Sequence, residues 1–74
     1  MRCDMHMQRV SSSNLAAVGY DSDTATLRIL FHDGSEYEYY NVPLQVYNGL
    51  MSASSHGSYA NSFIYKRFRQ RKIR

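Results

Sequence analysis

The stretch TLRILFHDGSEYEYY, residues 26–40, admits few backbone arrangements, because two runs rich in aliphatic and aromatic residues flank an Asp-Gly pair suited to a sharp turn. Side chains on a strand alternate with a period of two, so a one-residue slip in pairing sends every side chain to the opposite face. A two-residue Asp33-Gly34 loop would set Ile29 against Glu38 and Phe31 against Glu36, mixing apolar and charged partners. A three-residue loop, a type I turn followed by Gly34 in the left-handed bulge position, instead sets Ile29 against Tyr37 and Leu27 against Tyr39. Arg28 then faces Glu38 on the reverse side. The three-residue loop is the expected one.

The same reasoning extends upstream to LAAVGY. A four-residue connection over Asp21–Thr24 places Val18 beside Leu27 and Ala16 beside Ile29. Ala16, Val18, Leu27, Ile29, Phe31, Tyr37 and Tyr39 then share one buried face. Downstream, Pro43 sets the first turn of a helix over residues 43–52 and biases Val42 toward extended backbone. Val46, Tyr47, Leu50 and Met51 form its apolar stripe, while Gly49 reads as a tolerated but weakening interior residue. Ser54-Ser55-His56-Gly57-Ser58 breaks this helix and offers N-caps for a second, running to about residue 66, in which Tyr59 and Phe63 lie four apart. The expected architecture is α+β: a three-stranded antiparallel β-meander followed by two short helices packed on one face. Residues 1–11 are expected to be a flexible N-terminal segment and residues 69–74 a basic C-terminal tail.

A chain of 74 residues makes one small domain, which buries roughly 60% of the surface its unfolded form exposes. So thin a core leaves little room for a deep, water-excluding catalytic pocket, so a binding module is expected rather than an enzyme. Cys3 is the sole thiol, which rules out an intrachain disulfide, and no apolar run is long enough for a membrane span. The expected setting is soluble and cytoplasmic.

The charges are sorted along the chain. Residues 1–38 hold three basic and six acidic residues, a formal charge of −3, whereas residues 39–74 hold six basic residues and no acidic one. The closing run Lys66, Arg67, Arg69, Arg71, Lys72 and Arg74 is interleaved with Tyr65 and Phe68. Such a segment offers counterion release on phosphates and planar faces for stacking on bases. A solvated terminal run that keeps a small protein soluble is the plainer reading of the same residues.

The segments SSNLAAVGYD (12–21), TLRILF (26–31), GSEYEYYNVP (34–43), VYNGLM (46–51) and SHGSYANSFI (55–64) together resemble the KTSC domain, with Tyr37-Glu38-Tyr39 as the central Y-x-Y. That family is named after the C-terminal region of certain lysyl-tRNA synthetases and also occurs as a free-standing small protein in bacteria and phages. The resemblance spans residues 12–68 and implies, from the synthetase context, RNA as a partner. Phe68 stands where family members often carry a tyrosine after a basic residue, which removes a hydroxyl from that place.

The leading functional expectation is RNA or other nucleic acid, with Lys66, Arg67, Arg69, Arg71 and Lys72 on phosphates and Tyr65 or Phe68 stacking. The alternative is a protein-interaction module, self-association included, in which Phe68 and Ile73 pack against a partner. Of the central tyrosines, Tyr37 and Tyr39 belong to the core face and Tyr40 is the better exposed, although Glu36 and Glu38 share its side. Ser55, Gly57 and Ser58 at a helix N-terminus form a second candidate phosphate contact, competing with ordinary capping, and His56 could add charge there at mildly acidic pH. Glu36 and Glu38 beside Arg28 read as charge compensation on an outward surface rather than acid/base machinery. Cys3, Met5, His6 and Met7 form a soft-ligand cluster that would need the N-terminus to curl, so no metal or cofactor is expected.

Overall fold

The computed structural model describes residues 7–74, and Cys3, Met5 and His6 of the soft-ligand cluster lie outside the described residues. Strands β1 (Met7–Arg9), β2 (Leu15–Asp21), β3 (Thr26–Phe31) and β4 (Glu36–Tyr39) are followed by helices α1 (Leu44–Ser52) and α2 (His56–Phe63) and a last strand, β5 (Gln70–Lys72). They build one five-stranded antiparallel sheet in the order β1-β2-β3-β4-β5. The expected meander is thus β2 to β4, and the sheet is two strands wider. Both added strands are three residues long and largely exposed, and no apolar alternation marks them in the sequence. Main-chain pairing holds them.

The hairpin of β3 and β4 adopts the expected register, with Leu27 opposite Tyr39, Arg28 opposite Glu38 and Ile29 opposite Tyr37. The Gly34 amide donates to Phe31 O at 3.0 Å and the Phe31 amide to Ser35 O at 2.8 Å, closing the turn and its bulge. Gly34 has φ +94°, a conformation that residues with a Cβ rarely adopt. The Asp33 carboxylate accepts from the Ser35 amide and hydroxyl at 2.9 and 2.6 Å, locking the corner.

The first connection differs from expectation. Val18 lies opposite Ile29 and Tyr20 opposite Leu27, a shift of two residues, because β2 continues to Asp21 and the loop begins after it. Ala25 takes a positive φ of 55° that completes this loop, and Asp21 Oδ1 accepts from the Asp23 amide at 3.0 Å. An even shift preserves the faces, so Val18 remains in the core. A bulge between Leu15 and Ala17 then takes Ala16 out of the pairing, and Leu15, rather than Ala16, is fully buried. Tyr20 gains a stacked partner in Tyr47, with centroids 4.9 Å apart, and its hydroxyl donates to Val42 O.

The helices cover the face carrying Leu15, Val18, Leu27, Ile29 and Tyr39, to which they add Leu50 and Ala60, with Ile64 just after α2. Pro43 is the N-cap of α1, and its carbonyl accepts from the Val46 amide at 2.9 Å. Helix α2 ends at Phe63, short of the expected residue 66, because Ile64 leaves helical geometry (φ −122°) and is fully buried in the core. Gly49 has a more specific role than a tolerated weak point: a Cβ there would stand 2.2 Å from Tyr59 Oη and 2.7 Å from its Cζ. Its missing side chain lets Tyr59 of α2 lie against α1.

Two substitutions test this account by thermal melting. Gly34→Val should cost about 1–2 kcal/mol, since nothing within 4 Å would clash and only the backbone conformation opposes it. Gly49→Ala should also destabilise, by about 1–3 kcal/mol through overpacking, whereas helix propensity alone predicts a gain of about 1 kcal/mol. A raised midpoint for the second variant would dismiss the close approach of Tyr59.

Candidate nucleic-acid interface

Residues 69–74 do not trail away from the domain. Strand β5 lies against β4 with Tyr37 opposite Lys72, Glu38 opposite Arg71 and Tyr39 opposite Gln70. Further main-chain bonds extend the pairing at both ends, from the Tyr40 amide to Arg69 O at 2.9 Å and from the Glu36 amide to Arg74 O at 3.0 Å. Alternation then divides the polar side chains, with Gln70 and Lys72 on the face of the tyrosines and Arg71 on the face of Glu38.

On that reverse face the expected compensation of Glu36 and Glu38 is present, and it reaches further than Arg28. The Arg28 guanidinium donates to Glu38 through Nε at 3.2 Å and through a closer Nη2 contact, and its Nε lies 3.5 Å from Glu36. Arg74 binds Glu36 Oε1 through Nε and Nη2 at 3.0 and 2.8 Å. Glu36 is 6% exposed, so it sits within the sheet surface rather than on an open outward face, and two guanidiniums offset its burial. Tyr40, the tyrosine expected to be most available, is half-buried and donates to Glu38 Oε1 at 3.0 Å. Arg74 is tied down, whereas Lys66, Arg67, Arg69, Arg71 and Lys72 are exposed and make no ion pair among the described residues. Arg67 Nε does donate to Ser62 O, at 3.3 Å.

The predicted stacking residues are not free plates. Phe68 is half-buried against the core, while Ile73 is 41% exposed. Tyr65 stacks beside Tyr39, with centroids 6.1 Å apart and planes at 29°, and tilts toward Phe31 at 6.1 Å. Tyr37 completes a closed circuit of four rings, 6.4 Å from Tyr39 and edge-on to Phe31 at 5.9 Å. These rings wall an open cleft of about 770 Å³, bordered by the polar side chains of Asn14, Ser35, Lys66 and Gln70 and by the hairpin corner at His32 and Asp33. Sequence reasoning placed Tyr37 and Tyr39 in the core; they are both core and cleft wall, and only Tyr65, arriving after α2, encloses the space. Burial pushes the Tyr39 and Tyr65 phenols up.

At the start of α2, Ser55 Oγ accepts from the Ser58 amide at 3.3 Å as an N-cap. A Cβ on Gly57 would lie 3.2 Å from Asn14 Nδ2, so Asn14 packs over this helix end. His56 Nδ1 is buried without a hydrogen-bond partner among the described residues. Among the described residues, no group of three His, Cys, Asp or Glu is arranged to hold a metal ion, and no helix is long and apolar enough to cross a membrane.

Residues 11–68, from the segment before β2 to the aromatic residue that precedes β5, match the model of the KTSC domain. The chain belongs to the KTSC domain family. A solved structure of a KTSC domain protein from Yersinia pestis is 39% identical and superposes with a TM-score of 0.90 over 96% of this chain and 100% of that one. A protein of Tsukamurella paurometabola is 41% identical over 63 residues, 85% of this KTSC chain and 94% of its own length. A lysine–tRNA ligase of Trichormus variabilis is 43% identical over 54 residues, which are 73% of this chain but 10% of the ligase. Against the short relative the KTSC domain accounts for nearly everything; against the ligase it corresponds to one small segment.

The charge network on the reverse face predicts a pH dependence. The Arg28 guanidinium, above all, and the Tyr40 hydroxyl hold the Glu38 carboxyl below its ordinary value of 4.5. Since the folded-state value lies below the unfolded one, the stabilisation is complete above 4.5 and is lost as pH falls through the folded-state value. Arg28→Met should therefore make the acid limb of stability shallower, as measured by urea midpoints from neutral pH down to about pH 3. An acid limb as steep as that of the unaltered protein would show that the pair contributes nothing.

Proposed function

We propose that this KTSC domain is a non-enzymatic module that binds single-stranded RNA through Lys66, Arg67, Arg69, Arg71 and Lys72, with Tyr65 presented beside them. The observation that carries this reading is the docking of β5. Pairing with β4 turns a basic run into a fixed sheet edge, continuous through Arg69 with the exposed Arg67 and with Lys66, which borders an aromatic cleft. Cations held at fixed spacing lose less freedom on meeting a phosphate chain than those of a loose tail. Cations for phosphates beside rings for bases is the combination used for single strands. The similar segment in lysine–tRNA ligases supports RNA as the nucleic acid. The engagement of Glu36 and Glu38 by Arg28 and Arg74 supports a non-enzymatic role, since neither carboxylate is left free to move a proton.

Four to five phosphate contacts on a single strand correspond to a slope of about −3 in log K against log salt. Replacing Lys66, Arg67 and Arg69 together with glutamine should reduce the slope in magnitude by about 2 and leave the melting midpoint nearly unchanged, because their side chains lie on the surface. Fluorescence anisotropy of a labelled single-stranded RNA across a salt series measures both slopes. Equal slopes would remove the basic edge from the mechanism.

A further inference from the structure

The cleft beside β5 combines three properties. Its wall is aromatic, from Phe31, Tyr37, Tyr39 and Tyr65; its rim carries the amides of Asn14 and Gln70; and Lys66 stands at its mouth. Lys72 shares the face of Tyr37 by register, and its charge acts on Asp33 at the hairpin corner. A second cation therefore stands next to Tyr37, which lines the cleft. Tyr37 and Tyr65 are half-buried, with part of each still accessible, whereas Tyr39 at the centre is 2% exposed. The volume, about 770 Å³, lies within the range of about 300–1,000 Å³ typical of small-ligand sites.

A ligand that fits needs a flat apolar body for the rings, a hydrogen-bonding edge for the amides and an anionic group close by for the lysines. A nucleotide has all three. An aliphatic or purely anionic ligand would use only part of this lining, and a base inside a duplex is stacked and paired, so it could not enter. We infer that the cleft seats one unpaired nucleobase of the bound strand, against Tyr37 and Tyr65, with its flanking phosphates on Lys66 and Lys72. This inference rests on the nucleic-acid reading above and adds what that reading leaves open, namely a place where the strand is held by a base and not by phosphates alone.

The unaltered protein should bind a short oligouridylate about tenfold more tightly than an abasic ribose-phosphate oligomer of equal length, with the same salt slope for both. Ring-proton NMR resonances of Tyr37 and Tyr65 should shift with the oligouridylate and stay in place with the abasic chain. Tyr37→Leu keeps apolar bulk and should bring the affinity ratio close to one while leaving binding of the abasic oligomer unchanged. If that variant fails to fold, the two oligomers compared on the unaltered protein still decide. Equal affinity for both oligomers, with a strong salt dependence, would overturn the base seat and leave the basic edge standing. Absence of binding to either would overturn both.

Discussion

Strand β4 sorts consecutive side chains into two opposed environments, and this sorting is the constraint on which the remainder of the domain rests. Tyr37 and Tyr39 turn toward the helices, where they pack with Leu27, Ile29 and Tyr65; Glu36 and Glu38 turn away, where they meet Arg28 and Arg74. The positive φ of Gly34 sets the register that makes this possible. A slip of one residue would bury two carboxylates among aromatic rings and cost several kcal/mol for each unpaired charge. The turn thus fixes both the apolar core and the place of the acidic pair.

Segregation of charge along the chain is undone in space. The basic C-terminal run returns to the strand that carries Glu36 and Glu38, so the ends of the sequence dipole meet across β4 and β5. The closure depends on a few main-chain bonds and on Arg74, not on apolar burial, because every residue of β5 is exposed. Partial neutralisation leaves an asymmetric result, with Arg74 consumed in structure while Lys66, Arg67, Arg69, Arg71 and Lys72 keep their charge for solvent or a ligand.

The parts legible in the sequence were those set by local chemistry. Turn type, the period-two pattern of β3 and β4, the Pro43 start of α1 and a serine cap within residues 54–58 each depend on residues within a few positions of one another. The β2 register differs from expectation by two because the conformation of Ala25, a residue with no intrinsic preference for positive φ, decides where that loop ends. Strands β1 and β5 could not be seen because their pairing involves backbone, which every sequence supplies, and β5 is separated from its partner by both helices. Gly49 looked like a defect for a similar reason, since the ring of Tyr59 that requires it belongs to another helix. In the candidate site, the basic residues and Tyr65 were readable one by one. Their assembly around a cleft was not, because it depends on the chain turning back after α2.

The position of β5 at the border of the sheet also bears on how the molecule behaves among copies of itself. A border strand presents unpaired amides and carbonyls to any other strand that approaches, and long apolar borders invite runaway stacking into aggregates. Here that border is short and carries Arg71 and Lys72, flanked by Arg69 and Arg74, so two such borders brought side by side would set like charges against each other. The cations at this edge thus act as a guard against edge-to-edge association, whatever else they bind.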